Sequence, residues 1–253
     1  MVDCRDGLVP IVRTTTPYQK PAQVFRPIHR EIIDNVKKRS LAVTALAAAV
    51  PAVSQRSDAN AEHPDPTAIN LDFNNALIEL YDSQYRNMKF HSDQSLDLAQ
   101  GSFICIFSCY DIPDTPLVRK LKIQNKITRE SSEISMDHNS FVLFSLETNG
   151  KHLHKIVLEG SAGAVPATAG PGNGPKWLGI TFRLSKTFVR FCDDVPIMHP
   201  GACILRMATK DEFREFLKKR GEENKSVGFT YPFFDYTISA SDRLPPTQTS
   251  GLR

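Results

Sequence analysis

Phe90-His91-Ser92-Asp93-Gln94-Ser95 sets two side chains of metal-binding type two residues apart. In an extended segment successive side chains alternate, so the His91 imidazole and the Asp93 carboxylate leave the backbone on the same side. Two neighbouring ligands on one edge leave room for a third from elsewhere in the chain. Two imidazoles and one carboxylate on a single face suit non-haem Fe(II), which keeps its other positions open. The stretch therefore requires a fold that returns a distant strand to the side of residues 91–93.

The residues after it have the texture for that. Ser102–Tyr110, Leu117–Ile123, Ser140–Leu146, His154–Leu158 and Trp177–Leu184 are short runs of β-branched and aromatic residues separated by turn formers. Thr187–Phe191 reads as a continuation of the last run, and Asn70–Tyr81 as a strand or short helix leading into the metal motif. Several short strands of this kind predict a mainly β (α+β) domain with a double-stranded β-helix, or jelly-roll, core and flanking helices. The expected organisation is an N-terminal arm and helix with a flexible linker over residues 1–66, a core over 67–240 and a disordered polar tail over 241–253. Within the arm a strand is expected near Gly7–Val12, and the apolar spacing of Ile32, Ile33, Val36, Leu41 and Leu46 predicts a helix over 28–50. Residues 160–175, rich in Gly, Ala and Pro, read as a loop over one mouth of the barrel. Thr209 and Glu212 form a capping-box pair at the head of a helix expected to stop at Gly221.

Composition narrows the class. With 253 residues, 41% apolar and 23% charged, the chain can bury one large core or two modest ones. Five scattered cysteines with no C-x-x-C pair read as free thiols of a reducing, intracellular compartment, cytoplasmic or nuclear. The first fifteen residues lack the apolar core of a secretory leader, and Leu41–Val50 is too short to span a bilayer, so no membrane partner is expected. A net charge of +3 permits contact with a polyanion without requiring it.

Lys151-His152-Leu153-His154 offers the third ligand. His154 leads directly into an apolar strand and is preferred, with His152 as the alternative; in the competing reading both lie in a surface turn after Asn149-Gly150, a hairpin signal. Arg183, in the aromatic strand Thr181-Phe182-Arg183, is a fork-shaped cation suited to a carboxylate. Ser185 could add a hydroxyl on the same side, and Arg190 is the alternative cation.

In this order, His91-Ser92-Asp93, then His154-Lys155-Ile156, then Thr181-Phe182-Arg183, the chain resembles the Fe(II)- and 2-oxoglutarate-dependent dioxygenases, and within them the AlkB-like branch. The resemblance spans residues 70–195. It implies His91, Asp93 and His154 as iron ligands, and 2-oxoglutarate anchored by Arg183 with Ser185. Tyr81, or Tyr85, would stand for the family's upstream cosubstrate tyrosine. It also implies dioxygen as partner, and hydroxylation or oxidative demethylation of a substrate that in this branch can be an alkylated nucleic-acid base. The chain departs from the pattern where Trp177 and Gly179 replace an Arg and an Asn, and where Ser95 replaces the carboxylate that touches the base. A protein or small-molecule hydroxylase, or a catalytically silent binding module, are the competing readings. Phe229–Tyr236 is read as a strand on the barrel's flank rather than a stacking platform for a base. His138 and Asp193-Asp194 are read as surface turns.

Overall fold

Alternating β-branched and aromatic residues form strands here because each run buries one face while exchanging main-chain hydrogen bonds with its neighbours. The computed structural model describes residues 1–49, 71–115, 118–159, 175–201 and 203–248. They form two compact units, Met1–Val24 with Asp72–Arg253, and Phe25–Leu71. In the smaller unit α1 (Pro27–Ala49) covers nearly the predicted range. Pro27 opens it, where a missing N–H disturbs nothing. Ile33 and Val36 are buried, while Leu41 is exposed.

The larger unit contains the jelly roll. Four strands, β2 (Asn75–Tyr81), β3 (Phe103–Tyr110), β6 (Ser140–Ser145) and β8 (Trp177–Arg183), form an antiparallel sheet in the order β2-β8-β3-β6. A facing sheet has the order β5-β4-β7, built from β4 (Arg119–Asn125), β5 (Ser131–Met136) and β7 (His152–Leu158). The segment carrying the metal motif extends that sheet beyond β7, through bridges from Asn87 to Val157 and from His91 to His154. Ile106 and Tyr110 of β3, Leu121 of β4, Met136 of β5, Ile156 of β7 and Trp177 of β8 bury one another between the sheets.

A separate sheet joins β1 (Leu8–Pro10), β9 (Phe188–Cys192) and β10 (Val195–His199) in the order β1-β9-β10. The expectation that Thr187–Phe191 continues β8 is corrected by this. The buried Asn74 side chain accepts from the Ser185 amide at 2.7 Å and donates to its carbonyl at 3.0 Å, taking over the bonds a strand partner would make. The chain is thereby released into another sheet. Asp193 and Asp194, both at positive φ, make the tight turn from β9 to β10, as expected of a surface turn.

Two further local expectations are corrected. Asn149-Gly150 forms no hairpin; it lies in α2 (Leu146–Lys151), capped by the Ser145 hydroxyl. The helix headed by the Thr209–Glu212 capping box, α3, runs Lys210–Lys225 straight through Gly221, because its last turn is held from outside by the metal motif. The aromatic segment makes only a two-residue strand, β12 (Tyr236–Thr237), parallel to β11 (Arg206–Met207); Phe234 and Tyr236 pack with Phe216 of α3. Past Ser241, Thr247 bridges Gln23. The linker expected over 51–66, and residues 160–174 of the loop expected over 160–175, lie outside the described residues. Among the described residues no helix is long and apolar enough to cross a membrane.

Trp177 and Gly179 act as one packing unit. The Trp177 indole is fully buried, donates to the Ser108 hydroxyl at 2.8 Å and folds across Gly179, where an added Cβ would fall 2.1 Å from its Cη2. Gly179→Ala is therefore expected to lower stability by about 1–3 kcal/mol, the usual range for overpacking. Urea unfolding monitored by the fluorescence of Trp177, the chain's single tryptophan, reads the change directly. Wild-type stability in that variant would show that the ring has another place to go.

Candidate metal centre and cavity

His91 and His154 face each other across the extended second sheet. His91 donates its amide to the His154 carbonyl at 3.0 Å and accepts from the His154 amide at 2.6 Å, an opposed antiparallel pair that brings their side chains together. The rings lie 4.7 Å apart. Asp93, two residues further on the same side, completes the group: one ligand atom from each of His91, Asp93 and His154 lies within 4.8 Å of the others. Two imidazoles and a buried carboxylate at that spacing fit a single ion, since each could approach to ordinary bonding distance with small side-chain movements. His152 is not part of the group. Its ring meets the Thr148 carbonyl at 3.0 Å and the Asn125 amide at 3.5 Å.

The charges around the three side chains favour the forms in which such groups can bind an ion. Burial pushes the His91 imidazole down to about 4, and the neighbouring His154 ring adds to this against the pull of Asp93 and the Lys89 carbonyl. His91 is thus neutral at neutral pH. Its Nδ1 donates to the Lys89 carbonyl at 3.0 Å, which leaves Nε2 with the lone pair. Burial alone would raise the Asp93 carboxyl, but the Arg183 guanidinium and the two histidines outweigh it and hold it well below the usual carboxylate range. Arg183 reaches Asp93 Oδ2 through both Nε and Nη2, at 2.7 Å each, while Oδ1 faces His154 Nε2 at 3.5 Å. One carboxylate oxygen is fixed by the arginine, and the other faces the ligand group.

A cavity of about 370 Å³ opens on these residues, lined by Tyr81, Tyr85, Lys89, Ile106, Thr181 and Arg183 among others. Its volume is that of an ordinary small-molecule site. Tyr81 lines it and donates its hydroxyl to Glu79 at 2.6 Å. Arg183 also lines it, yet its fork is turned to Asp93. Ser185 is placed elsewhere: its hydroxyl donates to the carbonyls of Ile11 at 2.5 Å and Thr187 at 3.0 Å, and it does not line the cavity. Arg190 lies on β9, in the separate sheet. His138 accepts from the Tyr110 amide at 3.1 Å, far along the barrel from the triad.

The residues holding the motif in place are ones that sequence reading passes over. Asn149 accepts from the Asp93 amide at 2.7 Å and donates to its carbonyl at 2.8 Å, clamping Asp93 from α2. The last turn of α3 holds both flanks. The Asn224 side chain accepts from the amide and hydroxyl of Ser92, and Glu223 Oε1 accepts from the amide and hydroxyl of Ser95 at 2.9 and 2.6 Å. Arg220 donates to the Ser92 carbonyl, and both Arg220 and Tyr231 hold Glu223 Oε2. In sequence these are a turn asparagine and polar helix positions, and nothing local marks them. Glu223→Ala is expected to lower affinity for a divalent ion about 10–100-fold, the range for residues that orient metal ligands. Glu223→Gln, which keeps one acceptor for Ser95, should recover part of it. Competition with a chromophoric chelator measures both, and unchanged affinity in Glu223→Ala would show that α3 contributes packing alone.

Compared with known proteins, no family model and no curated protein matches the chain. Among solved structures, that of OsALKBH1 superposes with a TM-score of 0.40 at 14% identity, covering 64% of this chain and 65% of that one. The chain thus spans less than two thirds of that neighbour's length.

Proposed function

We propose that this chain is an AlkB-like Fe(II)- and 2-oxoglutarate-dependent dioxygenase that hydroxylates or oxidatively demethylates its substrate. The observation that carries the reading is the meeting of His91, Asp93 and His154 at the mouth of a cavity inside a jelly roll. Bound iron and keto acid would supply oxidation of a C–H bond by dioxygen. The chain's own contribution is position and environment. His91, Asp93 and His154 would hold the ion on one face, and Arg183 fixes the carboxylate oxygen that does not bind it. Tyr81, Ile106 and Thr181 wall the space for the cosubstrate and limit water beside it. Five unpaired thiols fit a reducing intracellular setting.

For the substrate, an alkylated nucleic-acid base and a protein side chain or small metabolite are both within reach of such chemistry. The second is favoured by Ser95, whose hydroxyl is turned to Glu223 and away from the cavity, leaving no counterpart to the base-touching carboxylate. Turnover of methylated single-stranded oligonucleotide would reverse that preference.

The test of the chemistry is an anaerobic titration of wild type and Asp93→Ala with Fe(II) and 2-oxoglutarate, followed by succinate release in air. Wild type should show the visible charge-transfer band of the chelate, and Asp93→Ala none. No band and no succinate from wild type would remove the assignment and leave a silent jelly-roll module.

A further inference from the structure

A second cavity, of about 430 Å³, adjoins the metal cavity, since Leu77 and Arg183 line both. Its walls are largely apolar, with Val9, Ile11 and Val12 from the segment around β1, Ile78 of β2, and Leu244. In a space of that size and texture a few polar groups set the chemistry of the ligand. Asp242 is one of them. Its Oδ2 accepts from the Thr237 hydroxyl at 2.5 Å, while Oδ1 has only the Ser241 hydroxyl at 3.5 Å, too long for a strong bond.

The charges around Asp242 do not balance. Asp97 and Asp242 share a single guanidinium, that of Arg13. Its Nε and Nη2 close on Asp97 and its Nη1 goes to the carbonyls of Phe234 and Tyr236, so it acts on Asp242 only through space. The cluster is one cation short, and a carboxylate held away from water without a partner is costly. Burial, with Asp97 nearby, accordingly pushes the Asp242 carboxyl up to about 7. A cavity whose carboxyl is shifted by burial and a like charge is a candidate site for a ligand that relieves both.

Among the described residues no side chain supplies the missing charge. Arg183 is engaged by Asp93. The Met1 amine donates to the Ala76 carbonyl, and burial with Arg183 nearby pushes it down to about 6, so it is mostly neutral at pH 7. Burial raises the Tyr18 phenol, which stays neutral too. Lys20 lines the cavity but is exposed, and makes no ion pair.

We propose that this cavity binds a primary alkylammonium ion, its nitrogen donating to Asp242 and its aliphatic body lying along Val9, Ile11 and Leu77. The site goes beyond the dioxygenase reading and does not depend on it. A carboxylate head would be repelled by Asp242, and a hydroxyl would bond without bringing the missing charge. Lys20 is the rival occupant, an ammonium on a flexible stem of four carbons.

The experiment is calorimetric titration of the full chain at pH 8, without iron or keto acid, using octylamine, octan-1-ol and octanoate. The three share one body and differ at the head. Wild type should bind octylamine at least about 10-fold more tightly than octan-1-ol, the size of a charged hydrogen bond, and octanoate most weakly. Asp242→Asn, which relieves the same charge imbalance, should lose about 10–100-fold in octylamine affinity and keep its affinity for octan-1-ol. Lys20→Met should bind octylamine at least as tightly as wild type. Equal affinity for the three heads, or octylamine binding unchanged in Asp242→Asn, overturns the proposal. Uptake of octylamine by Lys20→Met alone also overturns it, since Lys20 would then fill the place already. The wild-type series decides the matter if Asp242→Asn does not fold.

Discussion

Asp93→Ala is expected to lose about 3–5 kcal/mol of stability in the metal-free protein, beyond abolishing metal uptake. The reason is the ion pair beneath the ligand. Asp93 and Arg183 are both buried and joined through two guanidinium nitrogens, so removing the carboxylate leaves a charged fork facing a cavity with nothing to hold. Asp93→Asn keeps the shape and one acceptor, and should fall between alanine and wild type. Replacing both partners, as in Asp93→Asn with Arg183→Met, should restore much of the loss, because the cost lies in the unpaired charge. Urea unfolding of metal-free wild type, Asp93→Asn, Arg183→Met and the double variant gives the coupling. Additive losses would mean that the pair does not interact as its geometry implies.

The second large effect lies outside the cavity. Arg13 and Asp97 form a buried pair with Asp97 0% exposed. The arginine meets the carboxylate through Nε and Nη2 and gives Nη1 to the carbonyls of Phe234 and Tyr236, at 2.9 Å each. One side chain thus ties the N-terminal segment, the loop following the metal motif and the C-terminal aromatic segment together. Asp97→Ala should cost about 3–5 kcal/mol by the same physics. The adjoining Asp242 adds a pH dependence. Burial, with Asp97 nearby, pushes its carboxyl up to about 7 against the Thr237 and Ser241 hydroxyls and Arg13. Between about pH 4 and 7 the unfolded chain releases a proton that the folded chain keeps, so this group lowers stability as pH rises and adds no further change above 7. Asp242→Asn should match wild type near pH 4 and exceed it at pH 8, by up to about 4 kcal/mol. Parallel stability curves across that range would show that Asp242 is ionised throughout.

Local sequence alone determined the elements whose pattern is self-sufficient. The alternating apolar runs of β3, β6, β7 and β8, the helix beginning at Pro27 and the Thr209–Glu212 cap all arise where residues close in the chain state their preference. The spacing of His91 and Asp93 belongs with them, since period two puts both on one side whatever the strand pairs with. Tertiary structure decided the rest. β5 (Ser131–Met136) is polar and mostly exposed, and is a strand because β4 offers it an edge to pair with. Asn149-Gly150 carries a turn signal that a capped helix and the clamp on Asp93 override. Arg183 was legible as an arginine on a buried strand, but not the direction of its fork, because a guanidinium goes to the nearest buried carboxylate and that lies 90 residues away. Glu223 and Asn224 were invisible for the same reason. A buried polar side chain is satisfied by whatever the fold places against it, and only folding brings that partner near.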